Sequence, residues 1–201
     1  MNATESTRAG QLIVLPTDTV YGIGANPFDQ EAVTRLLAAK GRRETMPPPV
    51  LFARADEALA VADWGRVGER AARAAARLAQ RYWPGALTLI VPTSAEFGWD
   101  LSLRGHTVAV RVPDQDQTRE LLAETGPLAV TSANLTGEPP ALTIEQARAY
   151  FGEKVSVYLD GGPARIGEAS TIIDCSQWPP QLVRAGALDW EEIARDLGSL
   201  T

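Results

Sequence analysis

Leu12-Ile13-Val14-Leu15 is an unbroken apolar run, closed by Pro16-Thr17-Asp18-Thr19-Val20-Tyr21-Gly22. A short apolar run stopped by proline predicts a buried strand. A buried strand that ends in hydroxyls and a carboxylate lines a pocket more often than it packs a core. The fold must therefore deliver the end of an interior strand to a polar site. Further apolar runs at 20–25, 50–52, 86–91, 108–112 and 128–130 predict more strands, with weaker ones near 155–159, 171–174 and 182–184. Pro47-Pro48-Pro49 forces extended backbone into the run at 50–52. In 108–112 the alternation puts Val108, Val110 and Val112 on one face, and Ala109 and Arg111 on the other, facing solvent or a polar cavity.

Helical patterns lie between the strands. Asp29 can cap a helix whose apolar positions are Ala32, Val33, Leu36 and Leu37, with Gly41 just past its end. Lys40 then sits on the last turn and Arg42 just beyond, both side chains leaving the scaffold at one spot. Residues 67–82 are alanine-rich and helical, stopped by Trp83-Pro84-Gly85, and 115–124 read as another helix. Thr143 to Gln146 and Asp189 to Glu192 fit capping boxes, the second with Leu188 and Ile193 as a hydrophobic staple. Strands alternating with helices predict an α/β fold, and the short, irregular spacing predicts a mixed sheet rather than a barrel.

A length of 201 residues predicts one domain, 1–201, able to bury a full core. Hydrophobic residues make up 45% and charged residues 22%, the profile of a globular chain, and no apolar run approaches the roughly 18 residues of a spanning helix. Residues 1–9 are polar, carry no signal-peptide core and read as a flexible, frayed tail. Cys175 and His106 are single residues of their kind, so no intrachain disulfide and no His/Cys zinc site is expected. The cytoplasm is the natural compartment, and any magnesium would come in with a nucleotide. The net charge of −6 and pI of about 4.9 argue against a broad basic face for nucleic acid. A local cationic pocket from Lys40, Arg42, Arg43, Arg111 and Arg184 remains open.

Each motif has a plain alternative. There is no P-loop and no G-x-G-x-x-G, so phosphate binding would rely on side chains such as Lys40 and Arg42; a solvated basic helix end looks the same. Ser132 and Asn134 follow a strand, where α/β sheets collect ligands, but both are common turn residues. The hydroxyls of Thr17-Asp18-Thr19-Val20-Tyr21-Gly22 could hold a polar amino acid, with Gly22 letting backbone approach closely, or the threonines merely bond a strand end. Gly161-Gly162-Pro163, Gly167 and Ser170-Thr171 form either a loop that closes over a ligand or a surface hairpin. His106 follows Arg104-Gly105 in a turn and is not read as catalytic, and Cys175 is read as a small buried residue. The five tryptophans are scattered and are read as packing.

Taken in order, eight segments resemble the YrdC-like family, the threonylcarbamoyl-AMP synthases of tRNA modification. They are Pro16-Thr17-Asp18-Thr19-Val20-Tyr21-Gly22, Lys40-Gly41-Arg42, Trp83-Pro84-Gly85, Leu87-Thr88-Leu89, Val110-Arg111-Val112-Pro113, Thr131-Ser132-Ala133-Asn134, Ser170-Thr171-Ile172-Ile173-Asp174 and Val183-Arg184-Ala185-Gly186. The resemblance covers about residues 10–187 and implies a core of that extent, of the short single-domain type. It implies a twisted mixed sheet with flanking helices around a central concave cavity. It implies a reaction that joins L-threonine, bicarbonate or CO₂, and ATP into threonylcarbamoyl-adenylate and pyrophosphate, with Mg²⁺ on the nucleotide. A separate transferase complex would then modify tRNA, whose direct contact with this chain is expected to be weak at most. Carried over by position, Thr19, Arg111, Ser132 and Ser170 look like the L-threonine site. Lys40, Arg42, Asn134 and Arg184 look like ATP contacts, with Lys40 and Arg42 as the catalytic cations. Arg43, Met46, Ala86 and Ala185 depart from the family pattern. An RNA-binding module on the same fold and carbamoyl transfer to another acceptor are the competing expectations.

Overall fold

The computed structural model describes residues 2–41, 47–93 and 106–198. Its strands are β1 (Ile13–Leu15), β2 (Gly22–Ala25), β3 (Val50–Leu51), β4 (Leu87–Pro92), β5 (Thr107–Arg111), β6 (Leu128–Ser132), β7 (Val157–Tyr158), β8 (Thr171–Asp174) and β9 (Gln181–Arg184). Its helices are α1 (Ala3–Arg8), α2 (Gln30–Ala39), α3 (Ala55–Ala60), α4 (Glu69–Tyr82), α5 (Asp116–Thr125), α6 (Ile144–Phe151) and α7 (Trp190–Gly198). The strands form one mixed sheet in the order β7-β1-β2-β6-β3-β5-β4-β8-β9. β1/β7, β3/β5 and β4/β8 pair in parallel, and the other neighbours are antiparallel.

The β1 run is apolar throughout because both of its faces are covered. Val14 packs with Tyr21, Ile23, Leu36 and Phe151 under α2 and α6. Ile13 and Leu15 face the other way, toward Leu121, Leu122 and Val130 beneath α5. Strands buried on both faces lose the polar alternation that one-sided sheets show. β2 approaches β6 so closely that a Cβ on Gly22 would lie 2.5 Å from Val130 Cγ1, which is why glycine stands there. The third core lies between α4 and the sheet. There Ala75, Leu78 and Ala79 meet Leu87, Leu89, Val91, Val108, Val110 and Ile173. Each large side chain buried there contributes about 1.5–3 kcal/mol.

Most predicted elements stand where the patterns put them. Asp29 caps α2, its side chain accepting from Ala32 N, and Gly41 takes φ +64° just past the end. The helix expected over 67–82 starts two residues later, because Gly68 at φ +89° is its N-cap. Both expected capping boxes form only in part. Thr143 accepts from Gln146 N at 3.4 Å, but Gln146 Oε1 accepts from Leu142 N at 2.6 Å. Asp189 accepts from Glu191 N at 2.9 Å, while Glu192 accepts from Arg81 at 3.1 Å.

The frayed N-terminal tail is a misreading for the described part of 1–9. Asn2 and Glu5 form a reciprocal capping box, Asn2 accepting from Glu5 N at 2.8 Å and Glu5 from Asn2 N at 3.0 Å. The α1 they start buries Ala3, Ser6 and Thr7. The patterns also missed α3, whose N-cap Arg54 makes no capping side-chain bond. Cys175 is buried; burial, and then the charge of Asp174, push its thiol up to about 12. Among the described residues, no helix is long and apolar enough to cross a membrane.

Candidate active site

The polar segment after β1 turns on itself. Thr17 Oγ1 donates to Val20 O at 2.5 Å and accepts from the backbone N–H groups of Thr19 and Val20, each at 3.3 Å. This hydroxyl-closed turn reverses the chain into β2 and leaves Thr17 and Thr19 on the wall of a pocket of about 190 Å³. Arg111, at the end of β5, reaches across to the same wall. Its Nε donates to Gly85 O at 2.9 Å, Nη1 to Thr19 Oγ1 at 2.9 Å and Nη2 to Asp18 Oδ1 at 2.6 Å. Both ion-pair partners are buried, Arg111 at 6% and Asp18 at 1% exposure. Burial pushes the Arg111 pKa down and Asp18 pulls it back up, with the charge of Arg184 adding to the fall. A guanidinium stays protonated at neutral pH all the same.

Ser170 and Arg184 form the opposite wall. Arg184 donates from Nη2 to Ser170 O at 2.6 Å and to Ser170 Oγ at 3.1 Å, and from Nε to Ser170 O at 3.1 Å. Ser170 Oγ shares a 2.8 Å hydrogen bond with Thr88 Oγ1 on β4. Burial lowers the Arg184 pKa. The backbone crossing here is tight, since a Cβ on Gly186 would fall 2.3 Å from Ala169 O. The glycine-rich loop before Ser170 is strapped across the Thr17–Tyr21 turn rather than standing off as a hairpin. Ile166 N donates to Asp18 O at 3.0 Å and Gly167 N to Thr19 O at 2.9 Å. Tyr21 Oη donates to Gly162 O at 2.7 Å and accepts from Gly161 N at 3.1 Å. The Tyr21 hydroxyl pKa is raised, chiefly by burial.

β6 supplies the third wall through Ser132. Lys40 reaches it from behind. Its ammonium donates to Ser132 O, to Ser132 Oγ at 3.4 Å and to Asn134 Oδ1 at 3.2 Å. Its carbonyl accepts from Thr136 N and Thr136 Oγ1, both at 3.0 Å. Lys40 is only 4% exposed, which corrects the expectation that it leaves the scaffold beside Arg42. The polar groups of the 132–136 turn draw its ammonium inward. Ser132 Oγ donates to Asn134 Oδ1 at 2.6 Å, and Asn134 Nδ2 donates to Leu135 O and Glu138 O.

Of the predicted site residues, Thr19, Arg111, Ser132, Ser170 and Arg184 thus line one pocket, and Lys40 and Asn134 join its wall through Ser132. Arg42, with Arg43 and Met46, lies outside the described residues. Thr88 and Asp18 lie within the matching segments, but neither was among the site residues carried over by position. Thr88 carried a signal, since alternation within Leu87-Thr88-Leu89 turns it away from the core. Ile90, Ala109, Ile172 and Val183 give the pocket an apolar side. A site with two arginines, several hydroxyls and an apolar flank suits a polar anionic molecule attached to a flat apolar one. Among the described residues no three His, Cys, Asp or Glu side chains converge as metal ligands.

A family model named Sua5–YciO–YrdC, described as telomere recombination, matches residues 5–186. The chain belongs to this family. It is 43% identical over 201 residues to a Mycobacterium tuberculosis protein provisionally named threonylcarbamoyl-AMP synthase, covering 98% of this chain and 88% of that one. The crystal structure of Pyrococcus abyssi Sua5 complexed with L-threonine matches with a TM-score of 0.87 and 38% identity, over 98% of this chain and 56% of that one. Escherichia coli YciO matches with a TM-score of 0.80 and 26% identity, over 93% of this chain and 88% of that one. The chain therefore spans a little over half of the Pyrococcus protein and most of the other two. The expected family and the mixed α/β sheet with flanking helices are both borne out.

Proposed function

We propose that this chain is an L-threonylcarbamoyladenylate synthase acting as a single domain. The observation that carries the proposal is the convergence of Thr19, Arg111, Ser132, Ser170 and Arg184 on one pocket, in a chain 38% identical to a protein crystallised with L-threonine. The enzyme joins L-threonine, bicarbonate or CO₂, and ATP, and so serves tRNA modification. The amine of threonine first becomes a carbamate. A carbamate oxygen then attacks the α-phosphorus of ATP, the bond from that phosphorus to the bridging oxygen breaks, and pyrophosphate leaves.

The nucleophile is an anion, the electrophile is an anion and threonine brings a third negative group. What the step needs is neutralisation and alignment rather than a strong base. Arg111 can take the threonine carboxylate, with Thr19, Ser132 and Ser170 around the rest of the amino acid. Arg184, Asn134 and Arg42 serve the nucleotide. Lys40 holds Ser132 and Asn134 in place between the two. Mg²⁺ would come in with the nucleotide and add to this charge neutralisation. The product passes to a separate tRNA-modifying transferase, in the cytoplasm.

The test is pyrophosphate release from ATP by the purified protein. The proposal expects release only with L-threonine and bicarbonate both present, and a threonylcarbamoyl-adenylate mass in the quenched mixture. Folded protein that releases none under any combination would refute it. Salt-sensitive RNA binding by such inactive protein would favour the binding-module alternative.

A further inference from the structure

We propose that Asp18 is a positioning residue for the threonine carboxylate, acting through Arg111. The inference rests on the synthase reading above and deepens it. Thr17 and Thr19 face the pocket, while Asp18 between them is buried behind its wall. One oxygen, Oδ1, accepts from Arg111 Nη2 at 2.6 Å and from Asp114 N at 3.1 Å. The other, Oδ2, is buried and has no hydrogen-bond partner among the described residues. Buried carboxylate oxygens are seldom left unmatched, and a group that stays so marks a site shaped for something other than stability.

What that carboxylate does is visible in the donor inventory of Arg111. A guanidinium has five N–H bonds. Three are taken, by Gly85 O, Thr19 Oγ1 and Asp18 Oδ1, one from each nitrogen. Two remain among the described residues, one on Nη1 and one on Nη2, and these are the donors left for a bound carboxylate. Asp18 and Thr19 together therefore fix the rotation of the guanidinium plane, and Asp114 N fixes Asp18. Asp114 is itself tied down by Arg165, which donates to its carbonyl and its carboxylate, each at 2.6 Å.

Positioning and simple charge make opposite predictions. Asp18 cancels the charge of Arg111, so a pure field effect would make threonine bind more tightly once Asp18 is neutral. A positioning effect makes it bind more weakly. Asp18→Asn separates them cleanly. It keeps an acceptor at Oδ1 and puts an amide where Oδ2 already lacks a partner.

The experiment is steady-state pyrophosphate release by wild type, Asp18→Asn and Asp18→Ala, varying L-threonine and ATP separately. The wild type first tests the synthase reading, since threonine-independent or absent release ends that reading whatever the variants do. Given an active wild type, Asp18→Ala is expected to raise the L-threonine KM about tenfold or more, with the ATP KM held within about twofold. Asp18→Asn is expected to raise the L-threonine KM by less. If Asp18→Ala fails to fold, Asp18→Asn decides alone. A threonine KM that falls or stays the same in Asp18→Asn would overturn the inference. So would equal rises in both KM values, the mark of a merely structural role.

Discussion

The two faces of β4, β5 and β8 are built from the same strands and do different work. One face carries Leu87, Leu89, Val91, Val108, Val110 and Ile173, sealed beneath α4. The other carries Thr88, Ile90, Thr107, Ala109, Arg111 and Ile172, and lines the pocket. A strand's side chains alternate between faces, so each residue step switches from packing to chemistry. The apolar face has no polar group to satisfy and gains from every carbon it buries. The pocket face holds an ion pair, a hydroxyl pair and two arginines, whose contribution to stability is small beside what they cost to desolvate. Damage to the first should therefore cost stability, and damage to the second should cost activity.

The largest expected effect tests the apolar face. Leu89→Ala removes a fully buried side chain and should destabilise the protein by about 2–5 kcal/mol in urea unfolding. The folded fraction should keep wild-type KM values. A shift in either KM would show that the two faces are not independent. Next comes the pocket face. Thr88→Ala deletes the 2.8 Å partner of Ser170 Oγ, while Arg184 still holds that serine. It should lower kcat/KM for L-threonine about tenfold and cost only about 1 kcal/mol of stability. Loss of stability without loss of activity would place Thr88 with the core. The smallest effect lies on neither face. Arg81 pairs with Glu192 at 3.1 Å and Asp196 at 2.6 Å, with its own side chain 53% exposed. Arg81→Ala should change stability by less than about 1 kcal/mol and leave turnover unchanged.

The division between the faces was readable in the sequence where alternation is strict. Val108, Val110 and Val112 against Ala109 and Arg111 mark both sides of β5 in the sequence alone. β1 was readable as a buried strand, but not which of its residues faced which helix layer, since an unbroken apolar run has no period. α1 was missed although Asn2 and Glu5 stand at capping-box spacing, because a short polar segment at a chain start reads more readily as tail than as helix. Lys40 was placed correctly at the end of α2 and wrongly in orientation. Its acceptors, Ser132 and Asn134, lie 92 and 94 residues away. The Asp18–Arg111 pair spans 93 residues and the Thr88–Ser170 pair 82. Local pattern identifies such residues only as polar groups on strands. Their pairing is made by the sheet order, which no local rule supplies. The family resemblance bridged part of that gap, since it gathered Thr19, Arg111, Ser132, Ser170 and Arg184 before the fold did.

The central claim is that the polar face of the sheet, walled by Arg111 and Arg184, receives L-threonine. A crystal structure of the protein with L-threonine bound addresses it most directly. The account predicts the amino acid in the pocket, its carboxylate on the Arg111 guanidinium, and Thr19, Ser132 and Ser170 around it. Threonine ordered elsewhere, or held in the pocket with its carboxylate turned away from Arg111, would contradict it.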